Sequence, residues 1–501
     1  MSGCGCTTPR TPSPMDFNPL LNTLRAELGP SQVLTSDNGL DLQAYEQDWR
    51  GRARGRALAV VRPGSALEVA AVVKACAAAG VSLVPQGGNT GLALGSVPDD
   101  SGQQIVLSLR RLQAIRQLDT ANLTLTAEAG CVLQDVQAAA TASGCLFPLS
   151  LASEGSCTLG GNLATNAGGT QVLRYGNARE LCLGLEVVTA AGEIWQDLNG
   201  LRKDNTGYDL RDLFIGSEGT LGIITAATLK LFPQPAATLT AWATVPSMQA
   251  AVALLGQAHQ TLGPALTGFE VMGEFALRLV AKHLPQLQVP FLQTPLLGPT
   301  GPGQKMAPYA VLLEASDSES LTHAQTRFEA LLGQAIAQGG VHNAVVAQSL
   351  AQAQNLWQVR ENISWAQAQE GLNIKHDISV PVSQIPAFVA ATDALLADQV
   401  PGVRLVCFGH LGDGNLHYNV QAPPGMEPAS FLREWEPAIN ALVYAQVSRF
   451  GGSISAEHGI GSLKVAALEQ HKSPVALALM RRLKTALDPA NTLNPGRILR
   501  P

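Results

Sequence analysis

Nine residues, GHLGDGNLH at 409–417, hold two histidines, an aspartate and an asparagine among three glycines. The flanks VRLVCF and YNVQA read as strands, and Asp413-Gly414 between them is a two-residue hairpin signal. That register sets 412 against 415, 411 against 416 and His410 against His417, with Cβ atoms about 4.5–5.5 Å apart. Imidazoles rooted there can converge on one ion, because Zn–N bonds are about 2.0–2.1 Å. Asn419, two residues on, shares the face of His417. A separate stretch, SAEHGIG at 455–461, adds Glu457 and His458 beside more glycines. Either histidine alone is explained by a satisfied pair at a strand end. The turn, the cross-strand match and the separate Glu-His together favour chemistry.

Two glycine-rich loops offer a second kind of site. PQGGNTGL (85–92) follows a strand directly, and three glycines in five positions permit positive φ and leave backbone N–H groups uncovered. Successive bare amides suit anionic oxygens. No Gly-Lys-Ser/Thr follows, and no G-x-G-x-x-G is present, which excludes a Walker A loop and a Rossmann fingerprint. EGSCTLGGNLATNAGG (154–169) is a second run of glycine, asparagine and small hydroxyl residues in the same unit. Together the two loops could hold a long diphosphate ligand. LRKDNTGYDLRDLFIGSEGTLGIIT (201–225) adds Lys203, Asn205 and Asp209. In RENISWAQAQEGLNIKHDISVP (360–381), Arg360 and Ser364 stand at i and i+4 on an expected helix and so share a face. Lys375 begins an expected strand, NIKHDISVP.

The elements that must carry these groups read as α+β. ALAVVRP, VSLVPQ, QQIVLSL, TLTAEAG, CLGLEVVTAAG, EIWQDL and GIITAATLKLFP are expected strands, and SALEVAAVVKACAAAG is a Ser-capped helix. A new strand–helix pattern begins with TLTAWATVPSMQAAVALLGQA, which places a boundary near 235. TPLLGPTGPGQKMAP (294–308) reads as a surface loop of the second unit, and the chain ends on a helix with an Asp-Pro stop. The 501 residues suffice for two or three domains. Hydrophobic residues at 46%, charged residues at 14% and a net charge of −6 without basic clusters argue against nucleic acid as a partner. The eight scattered cysteines fit a reducing compartment. The start lacks a secretory signal, Met15 is an alternative initiator, and no window approaches a membrane span. These features suggest a cytoplasmic protein, with peripheral contact at the inner membrane face left open.

The set PQGGNTGL, GGNLATNAGG, NTGYDLRDLFIGSEGTLGIIT and the closing NPGRIL resembles the vanillyl-alcohol-oxidase type of FAD-binding fold. Within it, the chain is similar to the D-lactate and D-2-hydroxyglutarate dehydrogenases from about residue 45 onward. The resemblance implies an N-terminal segment (1–44), a two-subdomain FAD-binding domain (45–235), an α+β, ferredoxin-like cap (236–455) and a returning C-terminal segment (456–501). It implies that Gln86, Gly87, Gly88, Asn89, Thr90, Gly91 and Leu92 cradle the FAD pyrophosphate. Ser156, Thr158, Gly161, Asn162, Thr165, Asn166 and Gly168 would line the flavin, with Glu218 and Ile223 near the adenosine half and Asn494 reaching back from the tail. Asn89 stands in the loop where some relatives carry a flavin-linked histidine, so the expected FAD is non-covalent.

The same resemblance makes His410, His417 and Glu457 ligands of a divalent metal, Zn²⁺ or in its place Mn²⁺ or Co²⁺, and His458 the base. It places Arg360, Ser364, Lys375, Asn419 and His458 around the substrate. A chelated 2-hydroxy acid would lose its hydroxyl proton to His458 and a hydride to flavin N5. Two cations beyond the metal suit a diacid, which favours D-2-hydroxyglutarate over D-lactate. The alternatives are D-lactate dehydrogenase, an oxidase using O₂, a non-redox metalloenzyme and a non-catalytic flavin subunit. An electron-transfer flavoprotein or a quinone is the expected acceptor, and a homodimer the expected assembly.

Overall fold

A computed structural model describes residues 16–36, 41–292 and 308–500; most of the 294–308 loop, and Met15, fall outside these. Nineteen strands among the described residues make four sheets. The first holds β1 (Val33–Leu34), β2 (Ala57–Val61), β3 (Leu83–Gln86) and β4 (Gln104–Ser108) in the order β1-β2-β4-β3. β2, β3 and β4 run parallel, and the connection from β2 to β3 is the helix Ala66–Ala79. That helix starts where the Ser65 hydroxyl accepts the Glu68 N–H, and it stops at Gly80, whose left-handed φ of +66° few other residues adopt.

The second sheet is antiparallel and contains β5 (Ile115–Asp119), β6 (Thr124–Glu128), β8 (Cys182–Val188), β9 (Ile194–Asp197) and β10 (Ile223–Lys230). β5 has no apolar run and escaped the sequence reading; its residues are largely exposed. β7 (Cys145–Leu146) pairs with β11 (Phe232–Pro233), after which the chain enters the largest sheet.

That sheet begins as β12 (Ala237–Val245), helix Met248–Leu262, β13 (Leu266–Gly273), β14 (Tyr309–Asp317), helix Leu321–Ala337 and β15 (Asn343–Val346). The order β15-β12-β14-β13 is the 4-1-3-2 arrangement of a split β-α-β unit, the ferredoxin-like pattern. The sequence left one thing out: the sheet continues past β13. β16 (Asn373–Ile374), β17 (Asp377–Ser379), β18 (Arg404–His410) and β19 (Asn415–Gln421) extend it to eight strands, with β18 against β13 and β17 against β19. The histidines of the opening motif therefore lie on the extension, where it joins the ferredoxin-like half.

The C-terminal tail returns to the first sheet. Leu493 is fully buried in the core between the first sheet and helix Ala66–Ala79, and it bridges Leu83. Leu83 N–H donates to the Thr492 carbonyl, and Asn494 N–H donates to the Leu83 carbonyl. Asp488 ends the last helix and accepts the N–H groups of Thr492 and Leu493, which turns the tail. Among the described residues no helix is long and apolar enough to cross a membrane.

Candidate active site

Both glycine loops wall one open cavity of ≈ 930 Å³, its mouth included. Gln86 through Gly91 line it, as do Thr158, Gly161, Asn162, Thr165, Glu218 and Ile223. Leu92, Ser156, Asn166, Gly168 and Asn494 are not among its lining residues. Cys157, Gly160, Ser217 and Ile224 also line it and were missed, although they are immediate neighbours of residues that were expected.

The glycines work by close approach more than by unusual dihedrals. The positive φ of the first loop belongs to Asn89 (+56°) and Leu94 (+59°), whereas Gly87, Gly88 and Gly91 are not left-handed. A Cβ on Gly87 would lie 2.2 Å from Thr158 Oγ1, and one on Gly88 would lie 2.2 Å from the Ser156 carbonyl oxygen. The two loops thus touch backbone to backbone, and the expectation of positive φ at the glycines is corrected. The Asn89 amide donates to the Ala44 and Gln47 carbonyls and accepts from Ser96 Oγ. Gln86 likewise donates to the Tyr45 and Ser96 carbonyls. Both amides are thus tied to backbone carbonyls beside the cradle. Thr158 Oγ1, Asn162 Nδ2 and Ser217 Oγ, by contrast, are buried polar atoms without a protein partner in or beside the cavity wall. A cofactor with many oxygens fits that set.

The opening motif forms a hairpin in a different register. Phe408, not His410, lies opposite His417. Leu411–Asp413 wind one 3-10 turn, and Gly414 closes it at φ +87°, so Asp413-Gly414 is the end of a longer loop and not its centre. The slip is two residues, and side chains alternate with period 2, so His410 and His417 still share a face. Their ring centres are 6.0 Å apart. Glu457 Oε1 lies 3.5 Å from His410 Nε2, and donor atoms of His410, His417 and Glu457 all lie within 4.8 Å of one another. That three-membered donor set fits a divalent ion with an open position.

His410 itself pairs with Glu270 of β13, a residue the sequence reading missed. Glu270 Oε1 is 2.6 Å from His410 Nδ1, and Glu270 Oε2 accepts from Arg360 Nε at 2.8 Å. Burial alone would raise this carboxyl, but His410 and Arg360 outweigh it and hold it at about 2. The signal was a lone glutamate inside an apolar strand, LTGFEVMG. Asp377 is the other missed group. Its Oδ2 accepts the N–H groups of Glu457 and His458 at 2.9 and 2.8 Å and lies 3.5 Å from His458 Nδ1, while Asn415 donates to its Oδ1. Glu218, which lines the cavity, accepts the N–H groups of Ile460 and Gly461. The loop 455–461 is therefore clamped by one carboxylate from the large sheet and one from the cavity wall. It sets His458 in the cavity wall and Glu457 beside Gly168. Burial lowers the His458 pKa against the opposing pull of Asp377, and burial raises that of Glu457.

Arg360 is no surface charge: it is 7% exposed, and its guanidinium carbon lies 5.0 Å from the Phe408 ring centre. Its expected partner on one helix is not there. The helix Leu350–Glu361 stops at Asn362, whose side chain and N–H both donate to the Gln358 carbonyl, and Ser364 belongs to the next helix, Ile363–Glu370, where it is exposed. Lys375 sits in the gap between β16 and β17, not within one continuous strand, and burial lowers its pKa to about 8. Asn419 is buried, donating to Gln367 and accepting from the His376 N–H, so it braces the sheet and has one amide hydrogen left.

Comparison with known proteins agrees with this architecture. A model described as "FAD binding domain" matches residues 57–197, and "FAD linked oxidases, C-terminal domain" matches 234–498. The D-2-hydroxyglutarate dehydrogenase of Xanthomonas citri pv. viticola is 41% identical over 460 residues, covering 91% of this chain and 92% of its own. The mitochondrial D-2-hydroxyglutarate dehydrogenase of Rattus norvegicus is 37% identical over 94% of this chain and 83% of its own. Among solved structures, 4-ethylphenol oxidase from Gulosibacter chungangensis superposes with a TM-score of 0.72 at 17% identity, covering 96% of this chain and 97% of its own. p-Cresol methylhydroxylase gives 0.71 at 17% identity, over 97% of each chain. The chain belongs to the FAD-linked oxidases, in the family that includes the D-2-hydroxyglutarate dehydrogenases.

Proposed function

We propose that the protein is an FAD- and divalent-metal-dependent dehydrogenase that oxidises D-2-hydroxyglutarate to 2-oxoglutarate. The observation that carries this reading is the loop 455–461, which puts His458 in the wall of the glycine-lined cavity and Glu457 3.5 Å from His410. Flavin and metal chemistry thus meet at two adjacent residues. The relatives' names supply the substrate and its handedness. In this reading residues 45–235 hold FAD, 236–455 form the cap, and 456–501 carry the base back to the first domain. The cradle loop holds no histidine, and the Asn89 amide is turned to backbone carbonyls, which supports non-covalent FAD.

When bound, FAD supplies a hydride acceptor and a divalent ion supplies a Lewis acid. The protein supplies the rest. His410, His417 and Glu457 hold the ion. Arg360 and Lys375 engage substrate carboxylates; at pH 7 a lysine with a pKa of about 8 is still mostly charged. Ser364 offers a hydroxyl from the solvent side. His458, kept neutral by burial, takes the hydroxyl proton, and Asp377 stabilises the imidazolium that results. Glu218 and Asp377 keep the loop still while the proton moves. An external acceptor, such as an electron-transfer flavoprotein or a quinone, completes the cycle.

Steady-state turnover with an artificial acceptor dye tests the substrate. Each charge-assisted contact to a second carboxylate contributes about 1.5–3 kcal/mol, so kcat/KM for D-2-hydroxyglutarate should exceed that for D-lactate by roughly tenfold or more. Equal or better turnover of D-lactate overturns the diacid assignment.

A further inference from the structure

We propose that Glu270 is a positioning residue that joins the metal end of the site to its substrate-carboxylate end, fixing His410 with one carboxylate oxygen and Arg360 with the other. The inference rests on the reading above for the role of Arg360, and on the His410–His417–Glu457 set for the ion.

Glu270 is 0% exposed, and its neighbours along β13, Phe269, Val271 and Met272, are equally buried. A carboxylate there needs hydrogen-bonding partners on its oxygens. It has two, at 2.6 and 2.8 Å, one on each oxygen. Each partner gains a fixed orientation. With Nδ1 of His410 donating to Glu270, the ring presents the lone pair of Nε2 toward Glu457, the geometry that metal ligation requires. With Nε of Arg360 held by Glu270 and its guanidinium lying over Phe408, Nη2 is left buried and without any protein acceptor. A buried N–H left unpaired is costly, and an anionic oxygen of the substrate would satisfy it. Phe408 continues the connection, because its ring centre is 4.9 Å from that of His417.

Only a carboxylate can serve both sides. Glutamine offers one acceptor oxygen, so it must turn an amide N–H toward either His410 or Arg360. Toward His410, that would favour the tautomer that carries its proton on Nε2, which cannot ligate.

The test uses FAD-loaded, metal-stripped protein. The Zn²⁺ dissociation constant is measured by competition with a chromophoric chelator; KM, kcat and the thermal midpoint are measured on the metal-replete form. E270Q should weaken Zn²⁺ binding by about 10- to 100-fold and raise KM for D-2-hydroxyglutarate at unchanged FAD content. R360Q should raise KM while Zn²⁺ affinity stays within about threefold of wild type, since His410 keeps its partner. A lowered thermal midpoint with both Zn²⁺ affinity and KM unchanged in E270Q would mean a merely structural role and overturn the proposal. If E270Q does not fold, E270D replaces it: its shorter carboxylate reaches only one partner, so a loss in either readout supports the proposal and wild-type values in both overturn it. The Zn²⁺ titration needs no substrate, so it still judges the metal half should the hydroxy-acid reading fail.

Discussion

Replacing Asp377 by asparagine removes one negative charge from beneath the loop 455–461 while keeping nearly the same volume. The aspartate accepts two backbone N–H groups through Oδ2 and the Asn415 amide through Oδ1. An asparagine that keeps its oxygen toward Glu457 and His458 must face Asn415 with an NH₂, donor against donor. At least one hydrogen bond is lost, and the two that remain are no longer charge-assisted. The larger effect is on the proton acceptor. Asp377 Oδ2 lies 3.5 Å from His458 Nδ1. Two unit charges at about 4 Å interact by about 4 kcal/mol at an effective dielectric near 20. That attraction exists only after His458 has taken a proton, so it stabilises the transition state and not the resting enzyme. At about 1.4 kcal/mol per decade, losing most of it lowers kcat by about 10²- to 10³-fold. The assay is anaerobic stopped-flow reduction of the flavin by saturating D-2-hydroxyglutarate, with FAD content as the control for folding. A D377N protein that retains FAD and reduces it within threefold of the wild-type rate would refute the reasoning.

Other outcomes are equally specific. G88A should purify with little FAD, because its Cβ would collide with the Ser156 carbonyl at 2.2 Å; a fully yellow protein would contradict the close approach of the two loops. Dialysis against a chelator should leave the flavin spectrum intact yet slow substrate reduction by at least about 10²-fold, with Zn²⁺ restoring it; an unchanged rate would remove the metal from the account. Glu370 accepts from Lys282, His283 and Arg404, and these three outweigh its burial to hold its pKa at about 2. A depressed carboxylate contributes stability that is complete above its ordinary value of 4.5 and lost as pH falls through about 2. E370Q should therefore cost about 1–2 kcal/mol at pH 7 once solvent screening is allowed for, and chemical denaturation should show the gap from wild type narrowing below about pH 4. A gap independent of pH would refute the assignment.

The first half of the chain was legible because its signals are local. Ser65 and Gly80 bracket a helix that formed as expected, and the strands around it are continuous apolar runs. The two glycine loops announced a cavity for the same reason. The hairpin shows the limit. Asp413-Gly414 was read as the centre of a tight turn, yet the chain inserts a 3-10 turn before Gly414, where a Cβ would meet the Val380 carbonyl at 2.5 Å. That carbonyl is brought there by another strand, so no window around residue 414 contains the information. The site survived the error because an even slip keeps both histidines on one face. Glu270 and Asp377 were invisible for a related reason: they meet His410 and His458 across 140 and 81 residues, one through a strand pairing and the other through a loop that folds back on the sheet, neither of which the sequence spells out. Asn89 and Gln86 show the converse. Their types suited a ligand, but nearby carbonyls of residues 44–47 and 96 claimed them first.

The most direct test of the central claim is an anaerobic visible-light titration of the purified protein with D-2-hydroxyglutarate, with D-lactate in parallel. The account predicts a flavin absorbance that D-2-hydroxyglutarate bleaches at far lower concentration than D-lactate does. A protein that binds no FAD, or a bound flavin that D-2-hydroxyglutarate fails to bleach, would contradict it.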